Sequence, residues 1–161
     1  MSTFASKRAS CTHTISLKAE PGLVFPLFTP AEEKKWAVGW DYELVYPPDG
    51  NLEVDFVFKT STHDHHHKNA IWLISKYEPS RLQIEYIRFE PGVKVGKIEI
   101  SCRLGGPQET LATISYTYTG LSETGNKFVE AFTQEHYHEF ISTWEQAINY
   151  YLETGQTLSA H

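Results

Sequence analysis

The sequence predicts an α+β protein in which a seven-stranded, curved antiparallel sheet, joined by two short helices, carries a long C-terminal helix over a cavity. Three observations point there. Six consecutive segments alternate apolar and polar residues, and all but the second, which runs into the histidine-rich stretch, end in a Pro- or Gly-containing turn. A late stretch repeats apolar residues nearly every fourth position. Aromatic residues reach 14%, with four Trp, nine Tyr and nine Phe, which implies either a bulky core or a pocket with flat walls.

The elements follow in chain order. In "SCTHTISLKA", Ile15 and Leu17 alternate with Thr14, Ser16 and Lys18, which reads as one strand. Prolines at 21, 26 and 30 then permit only short helices, each started by a proline, at roughly 21–28 and 30–36. The six strands that follow are "DYELVYPPDGN", "LEVDFVFKT", "AIWLISKYEPS", "RLQIEYIRFEPG", "VKVGKIEISCRLGGP" and "ETLATISYTYTG". Links this short suit hairpins, so the strands form a meander. In the fifth of these, Val93 and Val95 are out of phase with Ile98, Ile100, Cys102 and Leu104, which predicts a bulge near Gly96. A similar ambiguity surrounds Tyr86 and Ile87. Phe128, Phe132, His136, Phe140, Trp144, Ile148 and Leu152 mark an amphipathic helix of about seven turns, capped at its end by Gly155. Ser122 or Asn126 caps its start. The first nine residues and the last six read as loose ends.

At 161 residues the chain is long enough for one domain with a real core and too short for two. Residues 1–161 are therefore read as one ligand-binding domain with its core at about 10–155. A net charge of −6, with no long basic run among 14 Lys and Arg, argues against nucleic acid or an anionic membrane as partner. No apolar run approaches a membrane span, and "MSTFASKRAS" lacks the apolar core of a signal peptide. Cys11 and Cys102 have no metal-knuckle or redox-pair spacing. The expectation is a cytoplasmic protein with two free thiols and no cofactor; monomer and homodimer are both open.

A sheet this wide twists and curls, and one helix about 10–12 Å across does not fill its concave side. Large side chains must plug the gap or line a cavity. The element order resembles the START-like, or SRPBCC, superfamily over roughly residues 10–155. "AEPGLVFPLFTPAEEKKW" and "INYYLETGQ" look like segments common in bacterial, polyketide-cyclase-like members. The resemblance implies a helix-grip fold with a deep, mostly apolar cavity for lipids, sterols, polyketides or other hydrophobic compounds. It also covers cyclases, transfer proteins and chaperone-activating domains, so fold does not fix function. The steroid-isomerase type of curved sheet places its helices first and fits this order less well.

Phe56, Phe58, Trp72, Tyr86, Ile98, Ile100, Tyr116, Tyr118, Phe132, His136, Phe140 and Trp144 are the expected ligand-binding residues. His136 shares the apolar stripe with Phe132 and Phe140; it reads as a satisfied core histidine, or as a polar anchor or general acid/base in the cavity. Arg88 reaches a ligand carboxylate if its strand keeps the phase of Leu82 and Ile84, and faces solvent if the phase slips at Tyr86. In "THDHHHKN", His63, His65 and His67 alternate, and with Asp64 and His66 they suit Zn, Ni or Cu chemically. A loop tip lacks the fixed scaffold and supporting hydrogen bonds of a metal site, so the favoured reading is a cavity rim that changes charge near neutral pH. Cys11 with His13, and Glu135 with His138, fall short of a nucleophilic pair and of a two-metal site.

The leading functional expectation is binding of a small hydrophobic molecule, lipid-like, aromatic or polyketide-like, between sheet and helix. One alternative is a cyclase or dehydratase with His136 as acid/base and a tyrosine stabilising an enolate. The other is a protein-interaction or chaperone-cofactor module with a plugged cavity.

Overall fold

The computed structural model describes residues 3–61 and 69–158. The histidine-rich stretch from His63 to His67 lies outside the described residues, and so do the rim and metal readings placed on it. Strand β1 (Arg8–Leu17) leads into α1 (Pro21–Val24), which tightens into a 3-10 turn at Phe25–Phe28; a second 3-10 turn follows at Glu32–Lys35. Then come β2 (Glu43–Tyr46), β3 (Val57–Thr60), β4 (Ala70–Glu78), β5 (Gln83–Glu90), β6 (Lys94–Gly106) and β7 (Glu109–Gly120). Helices α2 (Glu123–Ala131) and α3 (Gln134–Thr154) end the fold. The seven strands form one sheet in the order β1-β7-β6-β5-β4-β3-β2, antiparallel throughout.

Alternation sets the two faces of the sheet. On β7, Ala112, Ile114, Tyr116 and Tyr118 are buried on the concave side. The other face pairs hydroxyls across β1 and β7: Ser10 with Thr117 at 2.9 Å, Thr12 with Ser115 and Thr14 with Thr113 at 2.8 Å. Pairing of β6 runs without interruption through Gly96, opposite Arg88 on β5 and Tyr118 on β7. The expected bulge is absent from that position; the irregularity of β6 lies between Leu104 and Gly106. The true inward phase is Lys94, Gly96, Ile98, Ile100 and Cys102, with Val93 in the preceding turn. Glycine sits at 96 because a Cβ there would stand 2.8 Å from the Tyr118 ring. On β5 the phase also holds: Ile84, Tyr86 and Glu90 are buried, so Arg88 shares their face.

Two sequence expectations fail at the chain's ends of regularity. The strand expected from Leu52 begins only at Val57, because Asp55 takes a left-handed turn at φ 71°. Residues 5–7, expected to be loose, are tied down. Buried Asn126 accepts from the Lys7 backbone N–H at 3.0 Å and donates to the Ala5 carbonyl at 2.9 Å, while the Ser6 hydroxyl donates to the Gly120 carbonyl at 2.6 Å.

The long helix is in fact two. Ser122 caps α2 by accepting from the Gly125 N–H, and Thr133 caps α3 by accepting from the His136 N–H. Phe132, between them, leaves the helical backbone (φ −84°, ψ 83°). The break resets the helical phase, so the buried side of α3 is Tyr137, Ile141 and Ile148, with Trp144 half-buried between them. Tyr137 is fully buried, and its hydroxyl donates to the Ile114 carbonyl of β7. His136, one residue earlier, is exposed. Among the described residues no helix is long and apolar enough to cross a membrane.

Helix α2 packs closely on the sheet. A Cβ on Gly125 would lie 1.7 Å from the Val93 carbonyl oxygen, so Gly125→Ala should cost about 2 kcal/mol or more through overpacking. Asn126→Ala, which strands two backbone groups, should cost about 2 kcal/mol. Thr124→Ala, on the exposed side of the same turn, should change stability by less than about 0.5 kcal/mol. Urea unfolding of the three variants checks this, and equal midpoints would contradict it.

Candidate functional site

A cavity of about 320 Å³ lies between the concave face of the sheet, helix α3 and the segment from Glu33 to Asp41. Local structure explains each wall. The short turns enforced by the prolines bring Trp36 and Trp40 over the sheet, where the Trp36 indole N–H donates to the Leu27 carbonyl at 2.7 Å and that of Trp40 to the Pro30 carbonyl at 2.8 Å. Trp72 of β4 donates to the Thr60 hydroxyl at 2.9 Å, and Thr60 with Ser61 forms one edge. Phe140 and Trp144 come from α3, Phe128 from α2. All four tryptophans of the chain therefore face one cavity.

Of the residues expected from sequence, Trp72, Tyr86, Ile98, Ile100, Tyr116, Tyr118, Phe140 and Trp144 line this cavity. Phe56, Phe58 and Phe132 do not. Phe58 stacks behind Trp72 at 5.4 Å, Phe56 packs on Phe58, and Phe132 meets Tyr118 edge-on at 4.9 Å. They support lining rings without reaching the space. His136 is exposed in the first turn of α3, outside the cavity, because the break at Phe132 rotates it off the apolar stripe. Cys11 is buried under β1, and the His13 ring lies 3.9 Å from that of His138 on α3, away from the cavity lining.

The tyrosines divide by the fate of their hydroxyls. Tyr86 donates to the Phe28 carbonyl at 2.6 Å, which ties the proline segment to β5. Among the described residues the Tyr116 and Tyr118 hydroxyls have no hydrogen-bond partner, although both residues are buried against the cavity. Burial pushes the Tyr118 hydroxyl up to about 12 and raises that of Tyr116 well above the ordinary tyrosine value, so both stay protonated and able to donate.

Sequence reasoning left Arg88 open and missed three charged groups. Arg88 and Lys94 line the cavity, and Glu90 lies beneath them, accepting from Arg88 and, at 2.8 Å, from Lys94. Side-chain exposures of 13%, 5% and 7% for Arg88, Glu90 and Lys94 make this a buried cluster. The Arg88 guanidinium stands 5.5 Å from the Trp72 ring and the Lys94 ammonium 4.0 Å from that of Phe128, contacts that partly replace lost water. Burial works to raise the Glu90 carboxyl, but the bonds from Lys94 and Arg88 outweigh it and hold the group below the usual range. Burial lowers Lys94, more than Glu90 restores. On another wall stands Glu33. Its carboxyl has no hydrogen-bond partner among the described residues, its open surface faces the cavity, and desolvation raises it well above an ordinary glutamate. The missed signal for Lys94 is its even-numbered phase with Ile98 and Ile100.

Two stability predictions follow from these signs. Glu90 has a depressed folded-state value, so its contribution is complete above the unfolded carboxylate range and disappears as pH falls through the folded value. Glu90→Gln leaves two buried cations without a counter-ion and should cost about 3 kcal/mol near neutral pH. Glu33 has the opposite sign: above the unfolded value, near 4.3, ionisation favours the unfolded chain. Glu33→Gln should therefore raise the melting temperature at pH 7 and leave it unchanged at pH 3. Thermal unfolding across pH measures both, and a Glu33→Gln variant that is less stable at pH 7 would contradict the assignment.

No family model matches the chain, and no curated protein matches it. Solved structures do. Norcoclaurine synthase from Thalictrum flavum, in complex with dopamine and hydroxybenzaldehyde, superposes with a TM-score of 0.68 at 12% identity, over 91% of this chain and 87% of that one. The Zhui aromatase/cyclase from a Streptomyces species gives 0.64 at 13% identity, over 96% and 100%. Ara h 8.0201 gives 0.63 at 12% identity, over 91% and 96%. At these identities the likeness speaks for the fold alone, and with the seven-stranded curved sheet and long C-terminal helix it shows that this chain has a helix-grip fold.

Proposed function

We propose that this protein binds a small, flat hydrophobic molecule in the cavity between the sheet and α3. The observation that carries the reading is the lining itself: four indole rings, with two tyrosine hydroxyls that have no partner among the described residues, enclose one volume. Apolar walls supply affinity at roughly 25 cal/mol per Å² buried, and a few convergent polar groups supply orientation. About 320 Å³ is at the small end of ligand sites, which favours a compound of a few fused rings over a long acyl chain or a sterol. The structural neighbours include one protein solved with two small aromatic compounds and one named an aromatase/cyclase, which supports the same ligand class at a coarse level.

A second reading, proton transfer to or from the bound molecule, is favoured by Glu33. An exposed His136 cannot serve as the cavity's acid/base, whereas the Glu33 carboxyl lines the cavity, is raised by desolvation, and lies close enough to Tyr86 and Tyr116 to perturb both. A protonated carboxyl in an apolar site is a competent general acid near neutral pH.

Binding is tested with a neutral dye, phenyl-naphthylamine, titrated into the protein and read by energy transfer from tryptophan. Saturable binding is expected, and Ala37→Trp, which adds bulk at a cavity-lining position of the segment above the sheet, should weaken it at least about tenfold, or ~1.4 kcal/mol. Unchanged dye affinity in a variant with the wild-type circular dichroism spectrum would show that the dye sits elsewhere.

A further inference from the structure

The charges on the cavity wall narrow the ligand class, an inference that rests on the binding reading above. Arg88 and Lys94 both reach the cavity lining, while their shared counter-ion Glu90 does not. Two cations against one carboxylate leave the cluster with one uncompensated positive charge, and it is the cations that face the open space. The donors are also unspent. Among the described residues Arg88 gives one recorded hydrogen bond and Lys94 one, both to Glu90. A guanidinium has five N–H groups and an ammonium three, so several remain for a ligand. The nearby Tyr118 ring lies 5.6 Å from the Lys94 ammonium, and its hydroxyl has no partner among the described residues.

A buried charge without a partner is costly, and the neighbouring rings of Trp72 and Phe128 offset only part of that cost. A single negative charge on the ligand completes the balance. A dianionic phosphate would over-compensate one surplus cation, whereas a carboxylate matches it and accepts from Arg88 in a fork. Two carboxyls line the cavity: Asp41 is exposed and paired with Lys34 at 3.6 Å, and burial raises Glu33, which disfavours the ionised form that would oppose an anion.

We infer that the cavity selects aromatic acids, with the ring system between Trp72, Tyr116 and Trp144 and the carboxylate on Arg88 and Lys94. Isothermal titration of naphthoate and of naphthamide, which share a ring system and differ in charge, tests this at pH 7.5. Naphthoate should bind at least about tenfold more tightly, and Arg88→Gln should bring the two affinities together, with Glu90 still paired to Lys94. Equal affinities in the wild type, or an undiminished preference in Arg88→Gln, would overturn the inference while leaving the binding reading standing. If neither compound binds, the binding reading itself falls and this inference falls with it. The wild-type comparison needs no variant, so a poorly folding Arg88→Gln would not blunt the test.

Discussion

A curled sheet covered by a single helix has more concave surface than the helix can bury, and the rest of this structure follows from that mismatch. Helix α3 touches the sheet where β1 and β7 meet; Tyr137, Ile141 and Ile148 pack there, and the Tyr137 hydroxyl is fixed to the Ile114 carbonyl. Across the remaining strands, the proline-kinked segment supplies Trp36 and Trp40 as a partial roof. Between these two covers the sheet presents Tyr86, Ile98, Ile100, Tyr116 and Tyr118 to a space rather than to a packed neighbour. The aromatic surplus of the sequence is spent on lining and on the second layer behind it.

The polar groups at this space fall into two electrostatic situations. On β5 and β6, cations are held close to one carboxylate and against aromatic faces, which offsets part of the cost of burying them. Within the second 3-10 turn, Glu33 has no ion pair among the described residues, and desolvation raises its carboxyl. One cavity therefore combines a cationic wall, neutral hydroxyls and a carboxyl that desolvation biases toward its neutral form. That separation orients a ligand with one acidic and one apolar end.

Much of the fold was legible because strand and helix periods survive in the residues that face the core. Ile114, Tyr116 and Tyr118 alternate without error, and Gly155 marks the end of α3 with its left-handed φ of 73°. Legibility failed where a local cap competes with a longer pattern. Thr133 restarts the helix, yet Phe128, Phe132, His136 and Phe140 keep a helical spacing across the break, so periodicity alone put His136 on the inside. It failed again at Lys94, because a lysine flanked by Val93 and Val95 looks like the polar member of an alternating pair. Only the pairing of Glu90 with Lys94 across the β5–β6 turn shows that the charged residues, and not the valines, point inward. Glu33 had no signal in sequence, since one glutamate of a Glu-Glu-Lys-Lys turn looks like any other solvated charge.

The central claim is that the space under α3 is a ligand site, and the four tryptophans report on it directly because every one of them lines it. The decisive measurement is a proton–nitrogen NMR titration of the labelled protein with naphthol, following the four indole N–H resonances beside the backbone amides of Thr14, Thr113 and Ser115 on the hydroxyl-covered face. The account predicts saturable shifts of the indole signals with the outer-face amides unmoved. Indole signals that stay in place at saturating naphthol, or shifts confined to the outer face, would contradict it.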